Sequence, residues 1–418
     1  MKKLGVDAIE FKLYEILENW VVSMKIFEFS NNDQLHHYKK ALVLTFRGPR
    51  DVLSTGPDNG GFRKDLEAVF NVDINPGAGM GCMMRGKTYE EHMNVIAIED
   101  LGLDPSRCSG LCTAASMDNV SIQTMRYEEC APFSVTAVVT AGIEHNGGRV
   151  GDPALWHESG EEFCQAKPGT INILLHIDAN LDAGALVRSV VTCTEAKVAA
   201  IQELQAPSCS SRGIATGSGT DGIIVISNPE SNTKLTNAGK NSKLGEYIGK
   251  TVIQAVKEAL SLQSGLNPAG QHDIIQRLGR FGVTEDVLWE YYKEQGNGTL
   301  TRAEFMDRLD RKRKDSCLVT NASLYAHLLD QLDWELLDAE EVWEAARKLL
   351  VFPDVEKQEM AEKVPEELPE KIQMDKEATI QWMIEQYINA LFLLTTLMNK
   401  NSQLPRISLT ISSYRYSI

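Results

Sequence analysis

The chain has 418 residues, of which 43% are hydrophobic and 24% are charged, a composition typical of soluble globular domains. Its 58 acidic residues outnumber the 42 basic ones, and the formal net charge of −16 disfavours binding to nucleic acid or to an anionic membrane. Eight cysteines without a CxxC pair, in a sequence without an HExxH motif, predict neither a disulfide framework nor a bound metal, and they fit a reducing cytoplasm.

The two ends of the chain are predicted to be peripheral. Residues 1–38 read as a charged, partly helical leader, in which acidic side chains interrupt any signal-peptide core. The longest apolar run, residues 390–398, is much shorter than the roughly 20 residues that a membrane span requires, so it predicts a buried helix. We therefore expect a cytoplasmic protein without a membrane anchor.

A first domain is predicted from residue 39 to residue 264. It opens with a strand at 41–46 and a turn-rich loop, VLSTGPDNGG, at 52–61. A helix is predicted at 89–101 and a strand rich in β-branched residues at 134–142. After the loop around Pro105, residues 110–122 mix small and hydroxyl-bearing side chains, as a backbone that approaches a ligand closely requires.

The second half of this domain alternates strands and helices. Strands at 170–177 and 222–227 flank a helix that Asp182 is expected to cap. We expect Glu195 and Lys197 to lie on opposite flanks of its buried face. Apolar spacing predicts that this face contains Val187, Val190, Val191, Thr194, Val198 and Ile201. A further helix from near Ser242 should bury Leu244, Ile248, Val252, Val256 and Leu260. The alternation predicts an α/β domain with a mixed sheet and flanking helices.

Residues 265–418 are predicted to form a mostly helical C-terminal extension. Helices are expected at 273–278, 285–294, 303–311, 322–350 and 378–398. The Pro/Glu/Lys-rich stretch 353–377 reads as a solvated linker, and the tail 407–418 alternates like a strand. These helices could mediate self-association or contact with a partner.

The stretch 192–221 concentrates groups that could carry chemistry. Its glycine loop, TGSGTD at 216–221, precedes a strand, whereas phosphate-binding loops follow a strand and open a helix. The loop is therefore either a plain turn or a set of backbone donors for a ligand other than a nucleotide. Glu195 and Lys197 could be a general base and its electrostatic partner, or a solvated helix edge.

Other polar residues allow several assignments. Candidate nucleophiles are the hydroxyls of Thr113, Ser116, Thr216 and Thr220, each of which would need a positioned base. His145 could be that base or a surface histidine. His176 and Asp178 share one strand face or its end, but two residues do not make a metal site.

Eight segments, taken together and in this order, resemble the adenosylcobinamide amidohydrolase family. They are VLSTGPDNGG (52–61), SGLCTAAS (109–116), TAVVTAG (136–142), RVGDP (149–153), GTINILL (169–175), TCTEAKVAAIQEL (192–204), ATGSGTDGIIVIS (215–227) and AGKNSKLGEYIGKTV (238–252). The resemblance spans roughly residues 45–260. It implies hydrolysis of the amide that joins aminopropanol to the corrin ring's side chain, giving adenosylcobyric acid in cobamide salvage or remodelling. The partner would be a small corrinoid, and no cofactor is implied, since cobalt enters only with that substrate.

The resemblance also suggests site residues. The implied catalytic groups are Glu195, Lys197, Thr216, Thr220 and Asp221. The implied substrate-binding groups are Asn59, Gly60, Gly61, Thr113, Asp152, Thr170, Asn172, Gly217, Gly219, Lys243 and Glu246. We expect Glu195 to activate water or a threonine hydroxyl, and Lys197 or Lys243 to stabilise developing charge. Ser218 stands where the family pattern has threonine, and the EHNGG run before RVGDP is unusual.

Two other functions stay open at this point. One is a corrinoid-binding or regulatory module on an inactivated hydrolase scaffold, and the other is an amidohydrolase for a different small amide. The presence of both the TEAK and GTD groups favours an enzyme.

Overall fold

The computed structural model describes residues 23–75, 84–154, 169–295, 299–352 and 363–397. The chain forms two compact units that divide between Gln271 and His272. The first unit contains mixed sheets with flanking helices and the second is helical, as the sequence predicted.

The strands lie in the first unit. They are β1 Met24–Glu28, β2 Gln34–Tyr38, β3 Ala41–Thr45, β4 Asp51–Ser54, β5 Gly61–Arg63, β6 Ala68–Asp73, β7 Cys108–Thr113, β8 Ser121–Tyr127, β9 Phe133–Gly142, β10 Thr170–Ile177, β11 Asn180–Leu181, β12 Gly222–Ser227 and β13 Lys234–Leu235. Its helices are α1 Tyr89–Val95, which continues as a π-helical turn over Ile96–Asp100, α2 Ala183–Glu203 and α3 Lys243–Ser264. The predicted strands at 170–177 and 222–227 coincide with β10 and β12.

The main strands form two sheets. The first has the order β1-β2-β3-β6-β7, and only β6 and β7 pair in parallel. The second has the order β5-β4-β12-β10-β9-β8, and only β10 and β12 pair in parallel. Strands β11 and β13 form a separate parallel pair.

Three apolar cores arrange the first unit in four layers. Between the sheets, Leu44 of β3 meets Leu174 of β10 and Ile224 of β12 in one cluster. On the far side of the first sheet, the core includes α1, and on the far side of the second sheet it includes α2 and α3. Every residue of β10 and β12 is therefore buried, which explains why both strands are mainly apolar, with Asn172 and His176 as buried polar exceptions in β10.

The two long helices begin where the sequence predicted. The Asp182 carboxylate accepts a hydrogen bond from the Ala185 amide at the start of α2, and the Ser242 hydroxyl accepts one from Gly245 at the start of α3. The apolar stripe predicted for α3 is confirmed, because all five of its members are buried.

The predicted buried face of α2 is wrong except for Ile201, which is 0% exposed in the core. Val187 and Val191 are 57% and 40% exposed, whereas small residues such as Cys193, Ala196 and Ala200 pack into the core. Lys197 lies on this buried face rather than on its flank. Valine periodicity misled the prediction, because small side chains permit a close approach of helix to sheet and so select the packed face.

The N-terminal prediction also needs correction. Residues 1–22 lie outside the described residues, but the remainder of the expected partly helical leader forms β1 and β2. These strands pair with each other, and β2 pairs with β3. Leu35 of β2 lies in the core between the sheets, and Ile26 and Phe27 of β1 pack against that core, so this segment is part of the sandwich.

The second unit has its own core, which includes Ile274, Tyr325, Trp343 and Ile384. Its helices are α4 Ile274–Leu278, α5 Glu285–Glu294, α6 Arg302–Lys312, α7 Ser316–Asp333, α8 Ala339–Ala346 and α9 Lys376–Leu397. The single helix expected at 322–350 is wrong. Glu335 adopts a φ of +59°, which ends α7, and Asp338 then starts α8 with a capping box.

The linker prediction is wrong where the structure describes it. Leu368 is 5% exposed in the core of the second unit, and Val364 and Ile372 pack against the same core. Residues 353–362 and the strand-like tail 407–418 lie outside the described residues. None of the helices in the described part of the chain is both long and apolar enough to span a membrane.

Candidate active site

A buried ion pair joins α2 to the glycine loop before β12. Lys197 Nζ donates to Asp221 Oδ2, and both side chains are about nine-tenths buried. Asp221 Oδ1 also accepts from the Ile171 amide at 3.0 Å and from Ser218 Oγ at 2.6 Å. Because burying two charges is costly without further hydrogen bonds, these donors explain how the pair is maintained.

A cluster of hydroxyl groups adjoins this pair. Ser218 Oγ lies 3.1 Å from Thr220 Oγ1, which lies 2.8 Å from Thr170 Oγ1 at the start of β10. Together with the bond from Ser218 to Asp221, these contacts connect Thr170 to the carboxylate. Thr220 is exposed, so solvent or a substrate can reach the cluster.

The carbonyl oxygen of Gly169 faces the same hydroxyls. It accepts from Thr170 Oγ1 at 2.6 Å, from Thr220 Oγ1 at 3.1 Å and from Asn146 Nδ2 at 2.5 Å. Gly169 adopts a φ of +144°, and a side chain there would meet Asn146 Oδ1 at 2.2 Å. Glycine is therefore required at this position.

The glycine loop is fixed to the segment 148–152. Gly148 and Gly217 form a β-bridge, and Thr216 Oγ1 accepts from the Val150 amide at 2.9 Å. Asp152 Oδ2 accepts from Ser208 Oγ at 2.6 Å. Burial raises the pKa of Asp152, but the hydrogen bonds from serine hydroxyls outweigh it and hold the pKa below its usual value.

Asn172 joins strands of both sheets. Its Nδ2 donates to Asn71 Oδ1 at 2.7 Å and to the Cys112 carbonyl at 2.9 Å, while its Oδ1 accepts from the Gly222 amide at 3.1 Å. All of these partners belong to the protein, and Asn172 is buried. Its amide is therefore held by Asn71, Cys112 and Gly222, and Cys112 directly precedes Thr113 in β7.

The loop 52–61 lies at the same end of the second sheet. Thr55 Oγ1 accepts from the Ile223 amide at 2.9 Å, two residues beyond Asp221. Asn59 holds the loop to the start of β7, because its Nδ2 donates to the carbonyls of Pro105 and Cys108. Gly60 lacks room for a side chain, which would meet the Gly56 carbonyl at 2.3 Å, and Gly61 has a φ of +80°.

Asp58 is an unusual carboxylate in this loop. It is 3% exposed, and its Oδ2 has no hydrogen-bond partner among the described residues. Burial and the nearby Glu90 carboxylate raise its pKa.

Lys243 and Glu246 are not brought to the Lys197–Asp221 pair. They lie at the start of α3, where the adjacent Tyr247 packs on Phe133 at the start of β9. The start of β9 pairs with the end of β10, whereas Thr170 pairs with Gly142 at the end of β9. The two groups are therefore at opposite ends of the second sheet.

Three further candidates are also separate from the hydroxyl cluster. Glu195 is exposed on α2 and makes no hydrogen bond or ion pair within the described residues. His145 is exposed too. His176 lies near the end of β10, where its Nε2 is 3.1 Å from Asp33 Oδ2 in a buried network. The described part of the chain groups no three His, Cys, Asp or Glu residues for a metal.

Sequence reasoning missed Asn146 and Gly169 and undervalued Ser218. The signals were present: Asn146 belongs to the EHNGG run, Gly169 directly precedes a strand, and Ser218 lies in the glycine loop. The contacts of Asn146 and Gly169 join residues that are 23 to 51 positions apart. No local pattern reports such contacts.

A buried Lys–Asp pair beside accessible hydroxyls suits hydrolytic chemistry, and the chain belongs to a family of amidohydrolases. The family model for adenosylcobinamide amidohydrolase matches residues 26–268, more than half of the chain. The resemblance found in the sequence is thereby confirmed. Residues 272–418 lie outside the match.

Two relatives each match a little over half of the chain. A protein of Methanocaldococcus jannaschii, described only as uncharacterised, is 34% identical over 235 residues, which are 54% of this chain and 87% of the relative. An adenosylcobinamide amidohydrolase of Methanosarcina mazei is 29% identical over 242 residues, which are 55% of this chain and 99% of that protein.

Solved structures show weaker likenesses. A protein of Pyrococcus horikoshii is 11% identical with a TM-score of 0.29, over 57% of this chain and 82% of its own. An l-aminopeptidase d-ala-esterase/amidase of Ochrobactrum anthropi is 12% identical with a TM-score of 0.26, over 57% and 81%. Likenesses of this size carry no inference about the chain's chemistry.

Proposed function

We propose that the protein hydrolyses the aminopropanol amide of adenosylcobinamide, giving adenosylcobyric acid and aminopropanol in cobamide salvage or remodelling. The observation that carries the proposal is the family match over residues 26–268. The Methanosarcina mazei relative, which bears that activity in its name, aligns over 99% of its length with this chain. In this proposal cobalt is part of the substrate.

The hydroxyl cluster supplies the groups that amide hydrolysis needs. The reaction requires an attacking oxygen, donors for the oxyanion and a proton for the leaving amine. Thr220 is exposed and hydrogen-bonded to Thr170, so a substrate amide can reach these hydroxyls. Ser218 links them to Asp221, which accepts protons, and Lys197 fixes the position and charge of that carboxylate.

The direct test is incubation of the purified chain with adenosylcobinamide, followed by mass spectrometry for adenosylcobyric acid. The variant Asp221→Asn should lose at least about 10²-fold in kcat, because the carboxylate that ends the hydroxyl chain is removed. Circular dichroism and thermal melting would show that the variant remains folded.

Glu195→Gln is the matched comparison on α2. Its exposed carboxylate has no partner in the described part of the chain, so the variant should keep most of the activity. Loss of turnover in Glu195→Gln, with Asp221→Asn active, would instead support the role that the sequence suggested for Glu195. Tight binding of adenosylcobinamide without product would indicate a binding module, and neither binding nor product would indicate a different amide.

A further inference from the structure

The peptide bond between Gly169 and Thr170 has an unusual environment. The side-chain hydroxyl of Thr170 lies 2.6 Å from the carbonyl oxygen of the residue that precedes it. Two other groups, Thr220 Oγ1 and Asn146 Nδ2, donate to that same oxygen. This carbonyl oxygen therefore accepts three hydrogen bonds, one more than its two lone pairs.

This arrangement activates the carbonyl carbon toward the adjacent hydroxyl. Addition of Thr170 Oγ1 to that carbon would close a five-membered ring, and the carbonyl oxygen would become an oxyanion. Asn146 Nδ2 already lies where the oxyanion forms, so it stabilises the oxyanion without rearrangement. The single proton of the Thr220 hydroxyl serves a relay: Thr170 Oγ1 donates to Thr220 Oγ1, Thr220 to Ser218 Oγ, and Ser218 to the Asp221 carboxylate, which takes up the proton.

Local conformation supports the same reading. Gly169 has a φ of +144°, and contact with Asn146 and the Gly142 carbonyl excludes any side chain there. The other amide atom of Asn146, Oδ1, is buried without a hydrogen-bond partner among the described residues. Asn146 therefore buries Oδ1 without a hydrogen bond while its Nδ2 donates to the Gly169 carbonyl. Burying an unsatisfied polar atom is energetically unfavourable, and such groups are often kept at functional sites.

We infer that the chain cleaves its own backbone between Gly169 and Thr170 by an N-to-O acyl shift. Thr170 Oγ1 bonds to the Gly169 carbonyl carbon and loses its proton toward Asp221. The C–N bond breaks as a proton returns to the Thr170 nitrogen, which leaves an ester and a free amine. Water then hydrolyses the ester, giving a Gly169 carboxylate and restoring the Thr170 hydroxyl.

The cleaved chain gains a nucleophile for the proposed amidohydrolase reaction, and this second step rests on that proposed function. The new α-amine of Thr170 lies on the same residue as its hydroxyl and can accept its proton, as in other enzymes with a terminal threonine. Departure of Gly169 frees the donors of Thr220 and Asn146, which then bind the carbonyl oxygen of the substrate amide.

The cleavage is tested by intact mass spectrometry and N-terminal sequencing of the full chain in the absence of substrate. Wild-type protein should give two chains whose masses sum to the 46.4 kDa precursor plus one water, the second beginning Thr-Ile-Asn-Ile. Thr170→Val should remain intact, Thr170→Ser should cleave, and Asn146→Ala should cleave about 10²-fold more slowly.

Thr136→Val is the control for folding. Thr136 is a buried threonine of β9 whose hydroxyl bonds to Thr124, so the variant loses an equivalent buried hydroxyl on the same sheet. It should cleave at the wild-type rate. A folded wild-type chain that stays at 46.4 kDa, or cleavage of Thr170→Val at the same bond, overturns the inference.

The two proposals fail in different ways. If the chain cleaves itself but does not hydrolyse adenosylcobinamide, the self-cleavage is supported and the proposed substrate is contradicted. If the chain stays intact but hydrolyses adenosylcobinamide, the self-cleavage is contradicted and the proposed substrate is supported.

Discussion

Gly217 and Gly219 lie in the same loop, but they are glycines for different physical reasons. Gly219 has a φ of +83° with open space around it, so its backbone conformation excludes other residues. Gly217 lies against the ion pair: a side chain there would meet Asp221 Oδ2 at 2.1 Å and Lys197 Nζ at 2.8 Å. Steric contact, rather than backbone conformation, fixes the second glycine.

The variant Gly217→Ala should displace the Asp221 carboxylate and reduce kcat for adenosylcobinamide by about 10²-fold, the cost of a misplacement near 1 Å. Steady-state kinetics would measure the change. Gly249→Ala is the matched control, because no atom lies within 4 Å of its added methyl group and alanine favours the helix α3. Equal kinetics for the two variants would contradict the assigned importance of this contact.

The Lys197–Asp221 pair beside Gly217 also shows which features of the site can be predicted from the sequence and which cannot. Residue types alone mark the stretch 192–221 as a candidate site, and Lys197, Thr220 and Asp221 do lie together. Helical periodicity could not place Lys197, since a lysine with an apolar stem can occupy a buried face when a carboxylate meets it. That carboxylate is 24 residues away in sequence.

At the scale of elements, a second buried network fastens the turn between β1 and β2 to other parts of the sandwich. Arg50 Nε and Nη2 donate to the two oxygens of Asp33 at 2.8 and 2.9 Å, and His176 Nε2 of β10 lies 3.1 Å from the same carboxylate. Asp33 and Arg50 are 0% and 2% exposed. The network therefore ties the N-terminal hairpin to the central strand β10.

Asp33→Asn should destabilise the first unit by about 3 kcal/mol, because it leaves the buried Arg50 guanidinium with only the exposed Glu230 carboxylate, 3.7 Å from its Nη1, as a counter-charge. Burial raises the pKa of Asp33, but hydrogen bonds from His176 and Arg50 outweigh it, so the folded pKa lies below its usual value. Its stabilising contribution is thus complete above the unfolded pKa, about 4, and is lost as the pH falls through the folded value.

Denaturant unfolding at a series of pH values would measure both effects. The wild type should lose stability below about pH 4 more steeply than Asp33→Asn. Glu28→Gln, in the exposed pair with Lys25 on β1, is the control and should leave the midpoint nearly unchanged. Parallel acid profiles for wild type and Asp33→Asn would contradict the assignment.

Elements with a strong apolar pattern were predictable, and those fixed by distant contacts were not. The stripe of α3 and the runs of β10 and β12 gave correct positions because burial selects those residues directly. The sequence pattern does not predict the strands β1 and β2, because only Leu35 among their residues is fully buried and the rest are partly or wholly exposed. Such short strands depend on pairing with β3 for their conformation.

At the scale of the whole molecule, the chain consists of one unit that the family model matches and a second unit that it does not match. The family model ends at residue 268, and the two compact units divide between Gln271 and His272. The change in sequence texture near residue 264 predicted a boundary close to this division. The composition of the second unit's core is harder to predict from the sequence. Leu368 belongs to that core, although the proline and charge content of its surrounding stretch indicates a linker.

A chain truncated after Gln271 should retain both the self-cleavage and the hydrolysis of adenosylcobinamide. All residues of the proposed site lie before this point, and among the described residues no member of the first unit's apolar cores comes from beyond Leu266. The separate fragment 272–418 should be helical and inactive, since its core is built from its own helices. Mass spectrometry, turnover and circular dichroism of the two fragments would measure this. A truncated chain that folds but neither cleaves nor hydrolyses would show that the helical unit is required for catalysis.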